Sequence, residues 1–66
     1  MQPHQERVVN ELNELKEKRE KLGAFIAASP VFTSLPIDEQ SRLRRQFDIM
    51  ISYEGVLQER IDYFPR

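Results

Sequence analysis

Sixty-six residues with no cysteine, one histidine and a net charge of −1 leave few ways to hold a fold together. Disulfides are excluded, one histidine cannot build a structural zinc site, and so short a chain makes one domain at most. No long apolar run marks a transmembrane helix and no charged-then-apolar leader marks a signal peptide, so the expectation is a cytosolic protein.

Pro3 suits the first turn of a helix, and from there Val8, Leu12, Leu15, Leu22 and Ile26 recur at alternating steps of four and three. That is the spacing of a helix burying one face. Only Arg19 breaks the row. Glu14 with Lys18 and Glu17 with Lys21 are supportive charge pairs one turn apart. The helix is predicted over residues 3–29, because Pro30 disfavours helix in the residue before it.

Residues 30–35 form a link too short for another element of any size. Its apolar Val31, Phe32 and Leu35 are expected to close the end of the helix pair. A second helix is predicted from about Pro36 to Phe64, with Asp38 and Glu39 in its first turn complementing the positive helix end. Pro65 stops it. Leu43, Phe47, Met50, Leu57, Ile61 and Phe64 form its seam row, interrupted only by Glu54. Ile49, Tyr53 and Val56 make a second row, which Gln46 and Arg60 extend at the same spacing, and Ile51 adds a third direction. A helix apolar around most of its middle is normally enclosed, and one partner helix cannot enclose it.

The reading is therefore all-α: an antiparallel two-helix hairpin that assembles into a homo-oligomeric helical bundle. One seam buries too little to offset the conformational entropy of the whole chain. Small chains add disulfides, metal or further copies, and only copies remain here.

Charge is unevenly spread. Folding the hairpin so that residue numbers sum to about 66 sets Lys16, Lys18, Arg19 and Lys21 level with Arg42, Arg44 and Arg45. The half nearest the link then carries +3, and the far half, with Arg7, Arg60 and Arg66 against seven acids, carries −4. Most such charges form a solvated face. Arg19 and Glu54 sit at seam positions, where a charge is costly unless paired. By this register they lie seven residues apart along the axis, about 10 Å, so they are expected to meet between subunits if at all. Gly23 and Gly55 lie inside predicted helices, at about 1 kcal/mol each relative to alanine, which close helix packing, or less readily close approach of a ligand, would explain.

Catalytic signals are absent. No nucleophile sits near a histidine base, no glycine loop cradles phosphate and no metal-ligand spacing occurs. The chain is read as a non-enzyme with no metal and no cofactor. A pI near 5.8 and an acidic far half also argue against a DNA or RNA backbone footprint.

The order of residues resembles a phage family, the anti-CBASS cyclic-nucleotide sponges, whose hairpin domain is shared with sponges that counter Thoeris defence. The resemblance runs from Pro3-His4-Gln5 and Arg7-Val8 through Leu15, Lys18, Lys21-Leu22 and Phe25-Ile26. It resumes at Pro30, Phe32, Leu35, Glu39-Gln40, Leu43, Gln46, Met50, Tyr53, Leu57 and Arg60-Ile61. Arg19 departs from it, standing where the family has an aliphatic residue, and so does Pro36, standing where it has a capping serine. What the resemblance implies is a hexamer, a trimer of dimers, that binds cyclic di- or trinucleotides without cleaving them, in the cytoplasm of an infected bacterium. On matching positions His4, Arg7, Lys18 and Lys21 would hold a dinucleotide. Arg60, supported by Tyr53 and Arg45, would hold a trinucleotide. A helical protein-interaction module and a small nucleic-acid binder are the alternatives.

Overall fold

The computed structural model describes residues 1–65; Arg66, counted above among the far-end cations, lies outside the described residues. Three helices follow in order: α1 (Pro3–Ala28), α2 (Pro30–Ser34) and α3 (Ile37–Asp62). α1 and α3 pack along their length as an antiparallel pair, and no strand occurs among the described residues.

Local chemistry sets the ends. At the start of α1 the Gln5 side chain turns back so that its Oε1 accepts from the Gln2 backbone N–H at 2.9 Å, satisfying a donor that has no partner within the helix. Ser29 ends α1 and opens α2: its N–H donates to the Phe25 carbonyl at 3.1 Å, and its Oγ accepts from the Val31 N–H at 3.2 Å. Gln40 reaches back from α3 and donates to the Leu35 carbonyl at 2.9 Å, which pins the link to the helix that follows it.

The seam follows the sequence rows. Val8, Leu12, Leu15 and Leu57 form its buried cluster, with Met50, Ile61 and Phe64 packed against it. Gly23 is explained by this packing: a Cβ there would lie 2.9 Å from Phe47 Cε2, too close without a shift of the ring. Gly55 has no such neighbour; a Cβ there meets nothing within 4 Å.

Three expectations are corrected. The link holds an element after all, the five-residue helix α2, because Pro30 at its first position and the Ser29 cap allow one short turn. Its two apolar side chains part company: Phe32 is 1% exposed, edge-on to Phe25 with ring centroids 5.9 Å apart, while Val31 is 56% exposed. Neighbours on a helix point about 100° apart, so one turn can bury only one of them. Arg19 and Glu54 meet within one chain, Nε to Oε2 at 2.7 Å and Nη2 to Oε1 at 3.1 Å. Helical side chains lean toward their own N-terminus. In an antiparallel pair that lean carries Arg19 away from the link and Glu54 toward it, closing the gap that counting backbone positions left.

The molecule is a rod of 49 × 15 × 14 Å with a radius of gyration of 15.0 Å, against about 11 Å for a compact chain of this length. It exposes 5143 Å², where a compact protein of its mass exposes about 4400 Å². Large apolar side chains on α3 contribute to the exposed surface. Ile49, Tyr53 and Val56 stay 43–61% exposed on one side of the seam, and Ile51 is exposed on the other.

Candidate functional site

The described residues enclose no cavity, so a binding site on this chain is a surface. All seven candidate residues are exposed: His4, Arg7, Lys18, Lys21, Arg45, Tyr53 and Arg60. None of them makes a side-chain hydrogen bond or ion pair among the described residues. Their polar groups are uncommitted.

The fold sorts them into two stripes. His4, Arg7, Lys18 and Lys21 lie on α1 within about 100° of arc, beside the seam. They form two doublets, His4 with Arg7 and Lys18 with Lys21, and the eleven residues from Arg7 to Lys18 span about 16 Å. Glu11 and Glu14 fill the intervening positions of the same row. The sequence carries this signal in the spacing of Glu11 and Glu14 from Arg7 and Lys18. Arg7 stands at one end of the row and Lys18 and Lys21 at the other, with Glu11 and Glu14 between, so anions are attracted to its two ends and repelled from its middle.

Tyr53 and Arg60 lie on the second row of α3, seven residues or about 10 Å apart. Arg45 flanks that row fifteen residues before Arg60, about 22 Å away. One chain therefore does not bring Arg45 and Arg60 to one small ligand. The α1 stripe and the α3 row lie on different helices and are not joined into one pocket.

Two other cations near the link are committed. Arg42 is held by Glu39 at 2.8 Å and Asp38 at 3.6 Å. Arg44 lies over the Phe32 ring, 5.2 Å from its centroid, a cation–π contact that the sequence could not show without the placement of α2. Of the three arginines near the link on α3, Arg45 is thus the uncommitted one among the described residues.

Arg19 and Glu54 supply the strongest electrostatics in the seam, with side chains 29% and 12% exposed. The hydrogen bond to Glu54 raises the Arg19 pKa above its ordinary value against the cost of desolvation, with the Glu54 and Glu20 charges helping. The same hydrogen bond from Arg19 lowers the Glu54 pKa, again against desolvation, with the charges of Arg19 and Lys16 assisting. Both groups stay charged and satisfy each other, which fits a structural role. No three His, Cys, Asp or Glu side chains among the described residues are grouped to hold a metal ion.

Comparison with protein families matches residues 2–63 to Sequestin. The chain belongs to the Sequestin family. The match spans both long helices and the link, so family membership concerns the whole hairpin, the α1 stripe and the α3 row included. The family's name denotes sequestration, in keeping with a binding role. Neither the curated proteins nor the solved structures gives a match.

Proposed function

We propose that this Sequestin-family hairpin sequesters a cyclic nucleotide messenger: it binds the messenger without cleaving it, lowers its free concentration and so blunts CBASS-type immune signalling during phage infection. The observation that carries the reading is the α1 row, with uncommitted side chains at both ends, His4 with Arg7 and Lys18 with Lys21, on a chain whose family is named for sequestration.

Cyclic messengers present phosphates at fixed separations and flat bases between them. A protein that holds one needs a cation for each phosphate and a planar or hydrogen-bonding group for each base. Arg7, Lys18 and Lys21 supply the first, and His4 offers an imidazole for hydrogen bonding beside them. A single chain spreads its doublets along about 16 Å of helix, so convergence on one ligand takes a second copy. Antiparallel approach of two α1 helices sets Arg7 of one copy level with Lys18 of the other, and His4 level with Lys21. A two-fold pair of copies thereby offers two equivalent anion sites, matching the near two-fold symmetry of a cyclic dinucleotide. A trinucleotide would instead occupy a three-fold axis of a hexamer, with Arg60 donated by each copy.

Sequestration is stoichiometric, so it requires tight binding. Nanomolar affinity corresponds to about −12 kcal/mol. The test incubates the protein with separate cyclic dinucleotides, cyclic trinucleotides and a cyclised ADP-ribose, follows the melting temperature, and then recovers each ligand after heat denaturation. A raised melting temperature with at least one ring, and return of that ring chemically intact, is the expected result. No shift with any ring, in a well-folded protein, would refute the reading. Degraded messenger would make the protein an enzyme.

A further inference from the structure

The exposed row on α3 is nearly symmetric about its middle, with Ile49 four residues before Tyr53 and Val56 three after it. We infer that a second copy of this chain covers it, packed antiparallel, α3 on α3, about a two-fold axis that passes between Ser52 and Tyr53. The inference rests on the reading that the protein works as an assembly, and it assigns Tyr53 and Arg45 to the contact between copies rather than to ligand.

Two observations choose this occupant over a foreign helix. The first is the symmetry of the row. In a two-fold antiparallel pair each residue faces the one whose number completes a constant sum, and each flank faces the same flank of the other copy. A sum of about 105 sets Ile49 against Val56 of the second copy twice over and places both Tyr53 rings beside the axis. Those three side chains are the ones left 43–61% exposed by the hairpin.

The second observation is charge. Arg45 and Glu59 lie on the same flank of the row, fourteen residues apart, which is close to four turns. Both are exposed, and neither has an ion-pair partner among the described residues. Their numbers fall one short of that sum, an offset of about 1.5 Å along the axis, so each Arg45 comes within reach of Glu59 on the same flank of the other copy. A parallel pairing would instead stack Arg45 on Arg45 and Glu59 on Glu59, so the charges select the antiparallel form. The pairing is isologous, as a two-fold contact must be. A second two-fold contact along α1, as proposed for the ligand, would then close the copies into a dihedral ring.

The chain has no cysteine, which makes cross-linking clean. Two single variants, Ile49→Cys and Val56→Cys, are oxidised separately and as a mixture. Each position lies about 10 Å along the axis from its own equivalent in the proposed pair, beyond disulfide reach, but opposite the other position. Dimers formed from the mixture, and only background dimer from either variant alone, are expected. Efficient cross-linking of either variant alone, or none in the mixture, would overturn the pairing.

Charge reversal checks it without oxidation. Arg45→Glu alone and Glu59→Arg alone should each lower the mass seen by sedimentation, because like charges now face each other, and mixing the two should restore it. Unchanged mass in both, or no recovery on mixing while the helical signal persists, would also overturn the pairing. Messenger-induced melting shifts, measured in parallel, separate the two ideas. Cross-linking without any shift leaves the face and removes the sponge; a shift without cross-linking does the reverse.

Discussion

Arg19 of α1 and Glu54 of α3 join the two long helices by a two-pronged ion pair inside one chain, with Nε–Oε2 at 2.7 Å and Nη2–Oε1 at 3.1 Å. Each stands in a row otherwise filled by apolar side chains. A partly buried charge without its partner keeps its desolvation cost and loses its compensation. Arg19→Met and Glu54→Leu should therefore each destabilise the protein by more than the double variant does. Replacing both by apolar groups of similar size is close to neutral or stabilising for shielded pairs. Thermal unfolding of the four proteins at one concentration measures the coupling, and additive losses would say the pair contributes nothing.

The same pair fixes a pH dependence. The hydrogen bond from Arg19 holds the Glu54 carboxyl below its ordinary range, so the folded protein keeps Glu54 charged at a pH where the unfolded chain protonates it. That contribution is complete above the unfolded value of about 4.3 and disappears as pH falls through the lower folded value. Arg19, whose pKa is raised, stays charged throughout this window. Wild type should exceed Glu54→Gln in stability by a constant margin at neutral pH, and the margin should close below about pH 4. A margin that grows toward acid would contradict the assignment.

The two helical glycines should respond oppositely to alanine. At Gly55 a Cβ meets nothing within 4 Å, and the position lies away from the proposed α3 pairing row, so Gly55→Ala should stabilise by about 0.5–1 kcal/mol. At Gly23 the same methyl would sit 2.9 Å from Phe47 Cε2. The displaced ring cancels the gain in helix propensity, so Gly23→Ala should give no increase in melting temperature. Destabilisation by Gly55→Ala would reveal a contact on that face of α3.

For the α1 stripe, Arg7→Glu and Lys18→Glu should each weaken messenger binding by roughly ten- to a hundredfold, since a charge-assisted hydrogen bond contributes about 1.5–3 kcal/mol. Both side chains are exposed, so the helical signal in circular dichroism should not change. Binding should also weaken as salt is raised. Titration calorimetry at two ionic strengths checks both points, and salt-independent binding untouched by either reversal would remove these residues from the site.

How much the sequence disclosed differs from feature to feature. Periodicity is a direct record of which helix face is buried, so the rows containing Leu12 and Leu57, and the surplus row containing Tyr53, were legible without coordinates. Axial register was not. It depends on the direction in which side chains lean, and that is why Arg19 and Glu54 meet where residue counting kept them apart. Within the link, Val31 and Phe32 are both apolar, and only the turn of α2 decides that Phe32 goes in. That same turn places the Phe32 ring under Arg44, a commitment no spacing could reveal. At the candidate site the identities and spacing of His4, Arg7, Lys18 and Lys21 were readable. Their separation into two doublets, divided by Glu11 and Glu14, became significant only once α1 was a straight, exposed stripe.

Native mass spectrometry of the protein mixed with whichever cyclic messenger raises its melting temperature tests the central claim most directly, because it weighs subunits and bound ligand together. Sequestration by an assembly predicts a multi-copy ion carrying the intact mass of the messenger, which gentle unfolding releases unchanged. Ions of one lone hairpin without added ligand mass, under conditions where the protein is folded, would contradict it.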